Sequence, residues 1–140
     1  MHEKVTELFT TLQPDVVITW GASGWTGHPD HRLVHAVVTE VFESRNWGKP
    51  AQLYYPAIPA GNTPDVGEIH RATIDPALLT VRVPVSQTDY DKALASWHCH
   101  ASQYRPEEIE TMNTMVNAYL KGTIYLLPYR NPGAIKNTVF

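Results

Sequence analysis

A chain of 140 residues suits a single domain with room for one hydrophobic core. Hydrophobic residues at 43% and charged residues at 18% exclude a disordered or coiled-coil chain, and a net charge of -3 with eleven Lys and Arg scattered singly offers no footprint for nucleic acid. No apolar run has the length of a membrane span, the opening Met1-His2-Glu3-Lys4-Val5 does not read as a secretory leader, and the lone Cys99 points to a reducing, cytoplasmic setting without an intrachain disulfide.

In chain order, Val5, Leu8, Phe9 and Leu12 line one face of a helix over about residues 3–12, which Pro14 ends. Residues 16–19 are almost all apolar or β-branched, as in a strand covered on both faces, and this favours a parallel sheet. Gly21, Gly24 and Gly27 then mark an irregular loop. A second helix is predicted over residues 29–44, with Pro29 tolerated in its first turn and Leu33, Val34, Val37, Val38, Val41 and Phe42 packing inward. Asn46, Gly48 and Pro50 close it. Gln52-Leu53-Tyr54-Tyr55 is the next predicted strand, stopped by Pro56. Residues 56–76 mix Pro, Gly, Asn and Asp, which predicts a long loop of the kind that forms lids or substrate walls.

Residues 79–83 form a third predicted strand. Ser86 or Thr88 then caps a helix reaching about Ser102, with Tyr90, Ala93, Leu94 and Trp97 as its buried stripe. Pro106-Glu107-Glu108 opens another helix, its acids suited to the positive end of the dipole, and Met112, Met115, Val116, Tyr119 and Leu120 give it an apolar face. Residues 123–127 read as a terminal strand, and the tail from Pro128 as irregular. There is no internal repeat. The order predicts an α/β fold in which helices flank a mostly parallel sheet, in one domain over residues 1–140.

The chemistry concentrates in Gly27-His28-Pro29-Asp30-His31-Arg32-Leu33-Val34-His35, between a strand and a helix, where open α/β sheets place their ligands. His28, His31 and His35 stand three and four residues apart, so a helix sets them on one side, and an i, i+4 histidine pair such as His31 and His35 can bind Zn²⁺. Asp30 can accept from an imidazole N–H, orienting the ring and favouring its charged form. The same pattern also suits surface or N-capping histidines.

These residues resemble a known family. Pro14-Asp15-Val16-Val17, followed by Gly27-His28-Pro29-Asp30-His31-Arg32 and His35-Ala36, is similar to the second block of the PIG-L/LmbE-like zinc-dependent N-deacetylases, which act on N-acetylglucosamine conjugates. Lys92-Ala93 with His98-Cys99-His100-Ala101-Ser102-Gln103 resembles that family's helix ending in a His-x-Ser-Gln motif. The resemblance runs from about Val5 to Leu127 and covers the latter part of the family's domain. It implies a Rossmann-like fold, His31 as a metal ligand, His28 as the group that stabilises the oxyanion, and Asp30 as the residue that tunes His28. It also implies zinc or another divalent metal, and a small-molecule substrate for which an N-acetylated sugar conjugate is the first candidate.

The family's first motif, Ala-His-Pro-Asp-Asp-Glu, does not occur in this sequence. That motif carries a His and an Asp ligand and the Asp that serves as general base, and His31 alone cannot build a three-ligand catalytic zinc site. The site is then completed in trans, rebuilt on self-association from the chain's own histidines, with His28, His31 and His35 as the nearest candidates and His31 and His35 as the ligands of choice, or no longer used. A domain truncated on its N-terminal side would leave an open sheet edge and apolar helix faces, which predicts a homo-oligomer.

Trp25 and Tyr54 can stack on a sugar, although packing in the core is their competing role, as it is for Trp20 and Tyr55. His100 and Gln103 are expected to line the pocket, and Cys99 to be small and buried. Two functions follow: a metal-dependent hydrolase cleaving an amide or ester, with catalytic His28 and Asp30, or a non-catalytic remnant or subunit that oligomerises and binds a small ligand.

Overall fold

The computed structural model describes residues 1–44, 47, 52–62, 71–100, 102–130 and 133–140. The predicted terminators Asn46, Gly48 and Pro50, and residues 63–70 of the predicted loop, lie outside the described residues.

The elements run α1 (His2–Leu12), β1 (Val16–Ile18), α2 (Gly24–Gly27), α3 (Pro29–Ser44), β2 (Gln52–Pro59), β3 (Thr73–Ile74), β4 (Val81–Pro84), α4 (Gln87–His98), α5 (Pro106–Leu120) and β5 (Thr123–Pro128). The fold is α/β, but its sheet is mixed. Across the order β1-β2-β5-β4, β1 pairs with β2 in parallel while β5 runs antiparallel to both β2 and β4, and β3 pairs with β2 in parallel off this path. The expected mostly parallel, Rossmann-like sheet is therefore corrected by one strand. The apolar run of β5 shows that it is buried and carries no information about its direction.

The strand β2 runs through Pro56, where the sequence predicts a stop. Thr19 N donates to the carbonyl of Tyr54, and Tyr129 N to that of Leu53, so the polar groups of residues 54 and 56 face β1 and those of 53 and 55 face β5. Since β1 ends at Ile18, opposite Tyr54, the missing N–H of Pro56 faces a place where no ladder continues. Beyond it, β3 takes up the same edge at Ile58 and Pro59. Pro56 thus sits in a gap between two short strands in tandem, and the glycine loop leaving β1 lies against that gap, with Gly21 close to Tyr55 and the Pro56 carbonyl.

Tyr54, Val81 and Leu126 form the centre of the core, with Val16, Val83 and Val139 packed around them. Between α1 and α3, Phe9 meets Phe42 edge-on at 6.4 Å and Trp47 at 5.1 Å. Of the residues expected to face inward on α3, Val41 is fully buried and Leu33 is instead 51% exposed. Leu8, Leu12 and Ile18 are also more than half exposed, at 55%, 68% and 53%. These side chains belong to α1, β1 and α3, and one edge of β1 pairs with nothing among the described residues.

The capping residue of α4 is Ser86, whose hydroxyl accepts from Asp89 N while the Asp89 carboxylate accepts from Ser86 N. The helix ends at His98 rather than near Ser102. Tyr90, Leu94 and Trp97 are half-buried against α5, whereas Ala93 and Cys99 are exposed, correcting both expectations. Ile109 is the buried anchor of α5, and the side chain of Tyr119 lies outside the described residues. The tail is less irregular than expected, since Lys136 bridges to Val81 alongside β4.

Candidate active site

The turn between β1 and α3 is built from backbone conformations that side chains rarely adopt. Gly24 and Gly27 have φ of +65° and +78°, and between them Trp25 has φ 64° and ψ −64°. A bulky residue in that region stores about 1–3 kcal/mol of strain, which surrounding contacts must offset and which concentrates at functional sites. The Trp25 ring lies edge-on to Trp20 at 6.3 Å, and Trp20 stacks flat on His31 at 3.9 Å and 11°. Trp20, expected only as a sugar platform or core residue, is thus the wall that fixes the His31 ring.

The three histidines sit close together but carry different hydrogen-bond assignments. His31 Nδ1 lies 3.1 Å from the carbonyl of Gly24, and His35 Nδ1 lies 2.9 Å from that of Trp20. A carbonyl only accepts, so in both rings Nδ1 carries the hydrogen, which in the neutral form leaves Nε2 with its lone pair. That is the tautomer and the backbone support a metal-ligating histidine uses. In His28 the roles are reversed, because Asp30 N donates to His28 Nδ1 at 3.2 Å. Nδ1 is then the acceptor and the hydrogen of His28 sits on Nε2, available as a donor. His28 and His31 face each other with ring centroids 4.8 Å apart.

Asp30 therefore reaches His28 through its main chain. The expected carboxylate contact, favouring a charged imidazole, is replaced by one that an Nδ1–H could not make. The Asp30 carboxylate is exposed in the first turn of α3, where it suits the helix dipole.

The fourth turn-side group is Tyr55. It meets the His35 ring at 4.9 Å and shares a 2.9 Å hydrogen bond with Thr39. Burial holds its phenol above the ordinary value, the Thr39 bond opposes this, and the charge of Glu43 adds to the rise. The sequence reading offers Tyr54 rather than Tyr55 to the substrate, yet strand alternation sends the two tyrosines to opposite faces. Tyr55 joins the histidines. Tyr54 is 2% exposed in the core and engages Gln52, Lys136 and the Val139 carbonyl, so the structure does not bring it together with the histidines.

His100 and Gln103 follow α4, which packs on α5, away from the cluster of α1, α2 and α3. Their interactions among the described residues are local: His100 N donates to the Trp97 carbonyl, and Gln103 Nε2 to Tyr104 Oη. The structure does not join them to the α3 histidines.

The described residues do not amount to a zinc site. No group of three or more His, Cys, Asp or Glu among them is arranged to hold a metal ion, and a catalytic zinc requires three protein ligands. His31 offers one nitrogen, and His35, four residues on, is committed to a different carbonyl and to Tyr55.

Fold and turn together define an α/β protein with a histidine-bearing strand-to-helix turn at the carboxyl end of a short edge strand. No family model matches the chain. Among curated proteins it is similar to 1D-myo-inositol 2-acetamido-2-deoxy-α-D-glucopyranoside deacetylases. That of Gordonia bronchialis is 29% identical over 118 residues, covering 71% of this chain and 41% of the relative. That of Corynebacterium diphtheriae is 50% identical over 42 residues, 30% of this chain and 14% of the relative, and that of Corynebacterium jeikeium 26% identical over 131 residues, 72% and 39%. The chain thus spans less than half the length of these relatives. This similarity agrees with the resemblance to the PIG-L/LmbE-like deacetylases carried by the motifs around His28 and His100.

Proposed function

We propose that this chain contributes the oxyanion-stabilising part of a deacetylase-like hydrolytic site, acting on an N-acyl amide or an ester. An N-acetylated amino-sugar conjugate is the substrate class that the printed names of the relatives suggest. The observation that carries the reading is the opposite hydrogen placement in two adjacent rings: His28 presents an N–H and His31 a lone pair. Attack on an acyl carbonyl puts negative charge on its oxygen, and an Nε2–H held in place by the Asp30 main chain stabilises that charge without reorganising. His31 is suited to be one ligand of a divalent metal. Its remaining ligands would come from outside the described residues or from a second chain, since the residues present do not complete the set.

Supplying zinc and following acetate release from an N-acetylglucosaminyl conjugate tests the reading. Replacing His28 by alanine should lower turnover about 10²–10³-fold, the usual effect of removing one oxyanion donor. His31→Ala should abolish metal uptake as well as turnover while leaving the fold intact. Unchanged turnover in either variant refutes the assignment.

A second reading, a subunit that associates without catalysing, is favoured by the open edge of β1 and the exposed Leu8, Leu12, Ile18 and Leu33. Self-association belongs to both readings. No helix among the described residues is long and apolar enough to cross a membrane, and the cytoplasmic setting is proposed from the single cysteine.

A further inference from the structure

One residue touches two of the three histidines. The carbonyl of Trp20 accepts from His35 Nδ1 at 2.9 Å, while its indole lies flat on the His31 ring at 3.9 Å and 11°. His31 and His35 stand one turn apart on α3, and a turn rises about 5.4 Å, so the side chain of residue 20 must reach back across a full turn from its own carbonyl. An indole is long and flat enough to do so. The hydrogen bond from His31 Nδ1 to the Gly24 carbonyl fixes one point of that imidazole and leaves it able to swing about the bond. A flat stack on its face removes that freedom.

Trp25 stands edge-on to the same indole at 6.3 Å and 64°, from a backbone with φ 64° and ψ −64° that glycine adopts with less strain. Both tryptophans are half-buried, and neither belongs to the central cluster of Tyr54, Val81 and Leu126. Core packing therefore does not account for a bulky residue kept in a strained turn, whereas holding the indole does. We propose that Trp20 is a positioning residue of the hydrolytic site: its indole face sets the plane of His31, its carbonyl sets the hydrogen of His35, and Trp25 braces the indole. The rings run in the order Trp25, Trp20, His31, His28, so His31 is oriented relative to the N–H of His28 before a substrate arrives. What the positioning serves rests on the hydrolase reading, but the ring order is a property of this chain alone and is read without metal or turnover.

The test compares the parent chain with Trp20→Leu, Trp20→Phe and Trp25→Leu by NMR of the imidazole ¹⁵N nuclei and carbon-bound protons. In the parent, the ring protons of His31, stacked on the indole, should resonate upfield of those of His2, whose side chain is 50% exposed. Equal positions overturn the stack whether or not any variant folds. Trp20→Leu removes the face but keeps the carbonyl, so His31 should lose its single Nδ1–H tautomer while His35 keeps its own. Loss in both rings marks a collapse of the whole turn, and loss in neither leaves the indole without effect; either overturns the proposal. Trp20→Phe, which keeps a flat ring, should restore the His31 signature. Trp25→Leu should disorder His31 without moving His35, and an unchanged His31 would overturn the brace. In acetate release from the N-acetylglucosaminyl conjugate with zinc supplied, Trp20→Leu should lower kcat about 10²-fold, the scale of a 1 Å misplacement, with KM nearly unchanged. A raised KM at unchanged kcat would make Trp20 a binding residue and overturn its positioning role. The expected ring order in a chain that hydrolyses no amide would support the ordering of His31 and refute the hydrolase reading, whereas hydrolysis by a chain whose His31 ring is indifferent to Trp20→Leu would do the reverse.

Discussion

Replacing Gly24 by alanine isolates how the turn holds His31. A Cβ at Gly24 would stand 2.7 Å from Arg32 Cγ, 3.3 Å from Arg32 N and 3.4 Å from His31 Cβ. Rotating the exposed Arg32 side chain relieves the first contact but not the other two, which belong to the first turns of α3. The backbone at φ +65° adds the left-handed penalty of about 1–2 kcal/mol for any residue with a Cβ. Overpacking of this kind adds about 1–3 kcal/mol, so the variant should lose about 2–5 kcal/mol. Gly27 supplies the control, because its φ is +78° and nothing lies within 4 Å of its would-be Cβ. Gly27→Ala should therefore cost only the backbone penalty, about 1–2 kcal/mol. Urea unfolding with unchanged m-values measures both, and the imidazole ¹⁵N shifts of His31 report whether its bond to the Gly24 carbonyl survives. Two variants equal within about 0.5 kcal/mol, the usual scatter of such comparisons, would show that the turn does not press on α3 and refute the reasoning.

Three further outcomes follow from the packing and electrostatics. Tyr55 holds its phenolic proton above the ordinary value, chiefly through burial, so its contribution to stability is complete below the unfolded pKa of about 10 and is lost as pH rises through the folded value. Tyr55→Phe should remove that alkaline loss, and an unaltered stability profile above pH ~10 would contradict it. The Ser86 hydroxyl and main chain hold the Asp89 carboxyl below the ordinary carboxylate range, so this contribution is present above about pH 4 and fades as pH falls through the depressed value. Asp89→Asn should flatten the acid limb of α4 unfolding, read by the exchange of amides 89 and 90, and an identical acid limb would argue against the cap. Ile18→Asp places a charge on the exposed edge of β1 and should shift sedimentation toward the 15.7 kDa monomer with little change in unfolding free energy. A parent chain that already sediments as that monomer at micromolar concentration would contradict association through this edge.

The histidine turn illustrates how far local pattern reaches. A β-branched run, three glycines and an amphipathic helix opening with Pro29 placed His28, His31 and His35 at a strand's carboxyl end, and α3 spans Pro29–Ser44 as its periodicity predicts. Spacing alone could not assign hydrogens to the rings, because each assignment depends on a partner at a different distance: two residues on for His28, seven back for His31, fifteen back for His35. Asp30 shows the same limit, since a carboxylate beside a histidine suggests a side-chain contact and the folded turn presents the main-chain N–H instead.

What the sequence determined by itself was local: where helices begin and end, which runs are apolar, and that chemistry-bearing side chains crowd one turn. Apolar periodicity and capping residues encode these because they act over one or two turns of chain. Only the tertiary structure decided that β5 runs against its neighbours, that β2 continues through Pro56 because β1 stops beside it, and that Tyr55 rather than Tyr54 joins the histidines. Each of those depends on which strand lies alongside, a pairing between residues tens of positions apart that no single segment carries.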